Sequence, residues 1–302
     1  MIVSVSELTH RYAERTALDK ISFEAREGCI FAVLGPNGGG KSTLFRILST
    51  VMAPTSGRAS IAGFDVTTQA AEVRRLIGVV FQSQSLDRKL TVGENLHAQG
   101  SFFGMHGEPL RARIGHVTAR LHLADRIDDV VETLSGGLRR RVEIAKALLH
   151  RPRVLLMDEP STGLDPAARR ELWQYIADLR SLENVTVMLT THILEEADRA
   201  DTLVLLHQGR IVASGSPDEL KARVGGDVVV LEAADPASLA SAIATRFHVR
   251  TTVNDSSIRV EIGNGHRFIA EVVEAFPGAI QSVALHKPTL EDVFLDETGA
   301  SL

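Results

Sequence analysis

The chain has 302 residues, 44% of them hydrophobic and 24% charged, enough to bury one large domain and a smaller one. A formal net charge of -5 and a pI near 6.1 lack the broad basic field that non-specific nucleic-acid binding needs, so no nucleic-acid partner is expected. The single cysteine, Cys29, has no internal partner for a disulfide. Beside the apolar run Ile30 to Leu34 it reads as an inert buried thiol. The start MIVSVSELTHRY lacks the apolar core of a secretory signal. No apolar run approaches the roughly 20 residues that span a bilayer. A soluble protein is expected, one that would reach a membrane only by docking onto something that spans it.

In chain order, Val3 to Thr9, Ile21 to Ala25 and Ile30 to Leu34 read as strands. A glycine-rich turn follows, then an amphipathic helix through Leu44, Ile47 and Leu48. Ile77 to Phe81 is a short buried strand. From Thr91 to about Leu123 the pattern is helical and polar, interrupted by Gly100, Gly104 and Gly107. Val154 to Met157, Val185 to Thr190 and Thr202 to Leu206 carry a sheet onward; the apolar Val154-Leu155-Leu156-Met157 fits a strand covered on both faces. Gln208-Gly209-Arg210 predicts a hairpin turn into Ile211 to Ala213. Ser216-Pro217-Asp218-Glu219 predicts a capped helix start.

Gly225-Gly226 marks the expected boundary between a large α/β domain, 1–224, and a small one, 225–302. The small domain reads as strand, helix, two strands, helix, strand, the split βαβ, ferredoxin-like order. A last helix, Thr289 to Thr298, carries Leu290, Val293, Phe294 and Leu295 as an apolar stripe. That stripe must be buried on its own sheet, on the large domain or on a second chain. A role in holding two chains together is the expectation for this domain, which has no clustered metal ligands.

Gly35-Pro36-Asn37-Gly38-Gly39-Gly40-Lys41-Ser42-Thr43 fits the G-x-x-x-x-G-K-[ST] phosphate loop and lies between a predicted strand and a predicted helix. Its glycines turn backbone N–H groups toward the β- and γ-phosphates, and the helix N-terminus adds partial positive charge. Lys41 supplies a point charge, and the Ser42 hydroxyl is a ligand for Mg²⁺. Asp158, at the end of the apolar strand, is placed to hold Mg²⁺ through water. Glu159, one residue on, is placed to accept a proton from an attacking water. Leu134-Ser135-Gly136-Gly137, opening a helix from Leu138 to Leu149, is a second anion site, which one nucleotide does not need from one chain.

This set resembles the ABC ATPases, in which two chains pair head to tail and each Ser-Gly-Gly signature caps the partner's γ-phosphate. The resemblance implies a RecA-like core, an antiparallel β-subdomain and a helical subdomain over about 91–150. ATP and Mg²⁺ are the implied ligands. Tyr12 is similar to the aromatic residue that stacks on adenine, and Gln82 to the glutamine that touches Mg²⁺ and reports to a membrane partner. Ser161-Thr162-Gly163-Leu164-Asp165 resembles the loop that crosses the dimer interface, with Asp165 at its end. His192 resembles the switch histidine that contacts the γ-phosphate. Singly, each of these residue types is ordinary packing or surface; in this order over residues 1 to about 220 they form a specific set.

Two departures stand out. Leu138 occupies the position of the signature's usual glutamine, which implies altered coupling rather than lost hydrolysis. Gly39 stands where alanine is commoner, which is expected only to loosen the loop. The run Arg139-Arg140-Arg141 reads as a solvated helix face.

Residues 44 to 133 are too few for the long heptad insertions of chromosome-organising relatives, and one cysteine excludes the zinc cysteines of the DNA-repair member. The stretches Gln82 to Asp87 and Leu90 to Leu96, and the ending Pro288 to Leu295, are similar to the daunorubicin-resistance-type exporters of drugs and antibiotics. That resemblance implies a motor on the cytoplasmic face of the membrane. It implies a separate polytopic membrane subunit and a second ATPase subunit, expected to be another copy of this chain. The alternative is a soluble assembly ATPase, of the kind serving iron–sulfur cluster biogenesis, with no membrane partner.

Overall fold

A computed structural model describes residues 1–254 and 256–299. The chain divides into two compact units, Met1–Ser214 and the residues from Gly215 onward.

In the first unit, β1 (Val3–Tyr12) and β2 (Arg15–Ala25) form an antiparallel hairpin whose register ends with Tyr12 opposite Arg15. Both strands run beyond the apolar segments that announced them, so Tyr12 lies on a strand. After β3 (Ile30–Leu34) come the phosphate-loop segment and α1 (Lys41–Leu48). Then β4 (Ser56–Ile61) and β5 (Phe64–Asp65) complete a four-stranded antiparallel sheet, ordered β2-β1-β4-β5. The pattern in 53–76 did not announce these strands, because β4 buries only Ala59 and Ile61.

The chain continues through α2 (Ala70–Leu76), β6 (Ile77–Val80), α3 (Val92–Phe102), α4 (Gly107–Arg120) and α5 (Gly136–Leu148). It then forms β7 (Val154–Asp158), α6 (Pro166–Glu183), β8 (Thr186–Thr191), α7 (Leu194–Ala197), β9 (Thr202–His207) and β10 (Arg210–Gly215). The six-stranded sheet runs β10-β9-β3-β8-β7-β6, with β9, β3, β8, β7 and β6 parallel. Every residue of β3, β7 and β8 is buried, as parallel strands covered on both faces require. This parallel order brings the C-terminal ends of β3, β7 and β8 side by side, the edge where open α/β sheets bind ligands.

Gly104, at positive φ, lies between α3 and α4, and Gly107, also at positive φ, opens α4. Gly100 lies inside α3, where Leu110 packs against it. Cys29 is only half buried and donates its Sγ–H to the Arg26 carbonyl; burial still pushes the thiol above its ordinary value. The arginine run is not a solvated face. Arg140 is buried, donates to the Phe81 carbonyl at 2.8 Å and pairs with Glu143 at 2.9 Å, while Arg141 pairs with Glu171. Helix geometry points the middle arginine inward, where two fixed acceptors offset the cost of burying its charge.

The second unit begins at Gly215, ten residues before the glycine pair. The reason is α8 (Pro217–Val224), which carries the anticipated Ser216–Glu219 capping box. The unit continues with β11 (Asp227–Ala233), α9 (Pro236–Phe247), β12 (Thr251–Asn254), β13 (Ser257–Ile262), α10 (Gly265–Ala275), β14 (Ile280–His286) and α11 (Leu290–Thr298). Helix α8 packs against α11. The sheet order β12-β13-β11-β14, all antiparallel, is the ferredoxin-like arrangement. Leu290, Val293 and Phe294 are buried, and Asp292 accepts a charge contact from Arg259 of β13 at 3.1 Å. Three of the four stripe residues are therefore covered within this chain, while Leu295 is half-buried.

Candidate functional site

The loop from Gly35 to Gly40 leaves β3 at the centre of the parallel sheet and feeds α1. Gly40 is the N-cap of α1 at φ 109°, and a Cβ there would meet the Ala17 carbonyl oxygen at 2.5 Å, so only glycine fits. Gly39 donates to the Pro36 carbonyl at 3.2 Å, and its own carbonyl accepts from the Gly209 N–H at 3.0 Å. The β9–β10 hairpin thus buttresses the loop. A Cβ at Gly39 would sit 3.1 Å from the Pro36 oxygen and 3.2 Å from the Leu206 oxygen. An alanine here would require those neighbouring oxygens to give by a few tenths of an ångström.

Lys41 is buried and donates to the carbonyls of Gly35 (2.7 Å) and Pro36 (3.1 Å); its Nζ is also 3.3 Å from Glu159 Oε1. Glu159 directly follows β7 and adopts φ 46°, a left-handed conformation unusual for a residue with a side chain, costing of the order of ~1–3 kcal/mol. Two hydrogen bonds hold that turn: the Glu159 N–H donates to the Thr190 carbonyl (3.1 Å) and to Thr190 Oγ1 (3.0 Å). The turn sends the carboxylate back toward the phosphate loop. Its Oε2 lies 3.3 Å from Thr162 Oγ1, 3.3 Å from His192 Nδ1 and 3.5 Å from Gln82 Nε2.

Asp158 ends β7, buried, and accepts from Thr190 Oγ1 at 2.5 Å. Burial pushes its carboxyl above the ordinary range, while hydrogen bonds from Thr190 and Ser42 pull the other way. The Ser42 hydroxyl, the Asp158 carboxylate and the Gln82 amide oxygen are all hard oxygen donors. That chemistry fits a divalent cation such as Mg²⁺ and would not suit a thiophilic metal. Among the described residues no cluster of three or more His, Cys, Asp or Glu forms a metal cage. An Mg²⁺ ion, which takes few protein ligands and keeps its waters, does not need one.

A cleft of about 220 Å³ opens over the loop, lined by Tyr12, Asn37, Lys41, Thr43, Gln82 and Glu159 among others. Tyr12 is exposed at its rim. Its hydroxyl is 3.5 Å from Thr43 Oγ1 and 3.3 Å from Met52 Sδ, and its ring stands edge-on to His10 at 4.6 Å.

Ser135, Gly136 and Gly137 do not line this cleft. Ser135 caps α5 by accepting from the Leu138 N–H at 3.3 Å, and no neighbour stands within 4 Å of a Cβ placed on Gly136. Asp165 caps α6, accepting from the N–H groups of Ala167 (2.9 Å) and Ala168 (3.0 Å); these bonds hold its carboxyl below the ordinary range.

Three residues of this neighbourhood went unnoticed in the sequence. Thr190 braces both acidic residues from the next strand. Glu196, buried on α7, accepts from Thr191 Oγ1 at 2.7 Å and from Ser161, tying the segment after β7 to the segment after β8. Arg15, also lining the cleft, donates to the Gly38 carbonyl at 2.7 Å. Only the glutamate carries a sequence signal, an acidic residue four positions after His192 on a short helix.

The family described as ABC transporter matches residues 18–162, and the C-terminal domain of ATP-binding proteins similar to DrrA1-3 matches residues 215–298. Its start coincides with the structural division. The chain is 38% identical to the daunorubicin resistance ATP-binding protein DrrA3 of Streptomyces coeruleorubidus, over 98% of this chain and 96% of that protein. It is 37% identical to the Nod factor export ATP-binding protein I of Ralstonia nicotianae, over 100% of this chain and 95% of that one. A dimeric ATP-binding cassette solved in a post-hydrolysis state with ADP and Pi superposes with a TM-score of 0.65 at 28% identity, over 71% of this chain and 98% of that cassette.

Proposed function

This chain belongs to the ATP-binding proteins of ABC transporters, and we propose that it is the ATP-hydrolysing motor of an exporter whose membrane-spanning half is a separate polypeptide. The chain is an ATPase. The observation that carries the reading is the convergence of Lys41, Gln82, Thr162 and His192 on the carboxylate of Glu159 at the phosphate loop. The relatives, similar over nearly the full length, are named for drug resistance and Nod factor export, which does not favour the soluble assembly ATPase.

In this reading Tyr12 stacks on adenine, and the loop from Gly35 through Pro36, Asn37, Gly38, Gly39 and Gly40 to Lys41, Ser42 and Thr43 holds the phosphates. Ser42, Asp158 and Gln82 hold Mg²⁺, which when bound offsets charge on the β- and γ-phosphates. Glu159 leaves Lys41 as the nucleotide enters and accepts a proton from the attacking water, while His192 contacts the γ-phosphate. Ser135, Gly136 and Gly137 serve the nucleotide of a second copy, with Asp165 near the shared interface. Their position outside the chain's own cleft supports a site completed by two chains, as does the dimeric state of the related cassette.

A groove of about 310 Å³ beside α3, lined by Phe81, Gln99, Phe103, Lys146 and His150, receives a cytoplasmic segment of the membrane subunit. Phe102, 86% exposed next to it, is a probe of docking. Glu94, though exposed, is committed to the Thr91 capping box. No helix among the described residues is long and apolar enough to cross a membrane, so attachment at the cytoplasmic face rests on this docking. The test is membrane fractionation with and without a co-expressed polytopic partner. Recovery with the membrane only when the partner is present, lost in Phe102→Glu with basal phosphate release intact, supports the motor reading. A chain that ignores every such partner sinks it.

A further inference from the structure

We propose that Arg15 is a second phosphate-binding cation of this nucleotide site, contacting the part of the polyphosphate nearest the adenosine. The inference rests on the ATP-binding reading above. Arg15 and Lys41 are the cations lining the cleft, but they are not in the same electrostatic state. Lys41 is buried against Glu159, so its charge is already balanced within the chain. Arg15 is exposed, and its guanidinium meets a neutral acceptor, the Gly38 carbonyl at 2.7 Å. Among the described residues it has no carboxylate partner. A triphosphate entering the cleft therefore finds one cation to be taken from a carboxylate and one that is free.

Position adds the second argument. Arg15 stands opposite Tyr12 in the β1–β2 register, so the hairpin delivers an aromatic ring and a guanidinium side by side at the rim. With the ring on the base, the guanidinium, already resting on the phosphate loop at Gly38, spans toward the α- and β-phosphates. The planar fork of arginine suits paired phosphate oxygens.

A brace for the loop and a phosphate ligand need different chemistry, which two substitutions separate. Arg15→Gln keeps an N–H donor for the Gly38 carbonyl and removes the charge; Arg15→Lys keeps the charge and loses the fork. Affinities of the full-length protein for ATP, ADP and adenosine are read by displacement of trinitrophenyl-ATP. The expected result is a loss of about tenfold for both ATP and ADP in Arg15→Gln, a smaller loss in Arg15→Lys and no change for adenosine. Unchanged ATP and ADP affinity in Arg15→Gln overturns the proposal. So does a glutamine variant that equals or exceeds the lysine variant, a loss confined to ATP, or an equal loss for adenosine. A wild-type chain that binds neither nucleotide overturns the ATP-binding reading and this inference with it. Normal wild-type binding with an unaffected glutamine variant overturns this inference alone.

Discussion

Glu159 Oε1 lies 3.3 Å from the Nζ of Lys41, with both side chains buried. The residue proposed to activate water is thus held by the residue proposed to hold phosphate, and nucleotide binding has to part them. Replacing Glu159 by Gln removes the competing charge as well as the base. Glu159→Gln is expected to bind ATP at least as tightly as wild type and to turn over roughly 10²–10⁴-fold more slowly. Calorimetry and phosphate release check the two halves. Turnover at the wild-type rate would remove Glu159 as the base.

Thr190 serves both acidic residues with one hydroxyl, donating to Asp158 and accepting from the Glu159 N–H. Thr190→Val keeps the shape and deletes the hydroxyl. Glu159 N–H retains the Thr190 carbonyl, so the loss falls mainly on buried Asp158, about 1–3 kcal/mol of stability. Urea denaturation should show a lower midpoint at constant slope. An unchanged midpoint would mean that Asp158 finds another donor.

Ser135 caps α5 and is proposed to face the partner's nucleotide. Ser135→Asp preserves a good N-cap, so the helix should stay folded. Its carboxylate would nevertheless oppose the partner's phosphates. Light scattering in a Glu159→Gln background should show ATP-driven dimers with Ser135 and monomers with Asp at that position. Dimers in both would exclude a head-to-tail site at this signature.

Because α8 packs against α11, the two candidate boundaries make different fragments. A chain ending at Ser214 should express as a folded ATP-binding unit. One ending at Gly225 carries α8 with Leu220 and Val224 stripped of α11, and should aggregate more readily. Size-exclusion chromatography of the two fragments decides it, and identical behaviour would contradict the division at Gly215.

The phosphate loop, the acidic pair after Met157 and the βαββαβ order were legible because each is local. A turn that needs glycine, a strand that must be apolar on both faces and a helix cap all leave their mark within a few consecutive residues. Arg140 departs from its expected solvated face for the opposite reason. Whether a charged side chain is solvated depends on partners supplied from elsewhere, here the Phe81 carbonyl, 59 positions away from Arg140.

By itself, the sequence determined the secondary-structure alternation, the glycine-rich loop that leads into Lys41, the acidic pair Asp158 and Glu159 at a strand end, and the Ser135 turn that caps α5, since local backbone conformation and side-chain type suffice for these. Only the tertiary structure decided that Thr190 braces both acidic residues, that Arg15 reaches the cleft, and that Leu290, Val293 and Phe294 of α11 are buried inside the chain. Strand order and register bring together residues far apart in the chain, and spacing along the chain carries no record of which strand will lie beside which.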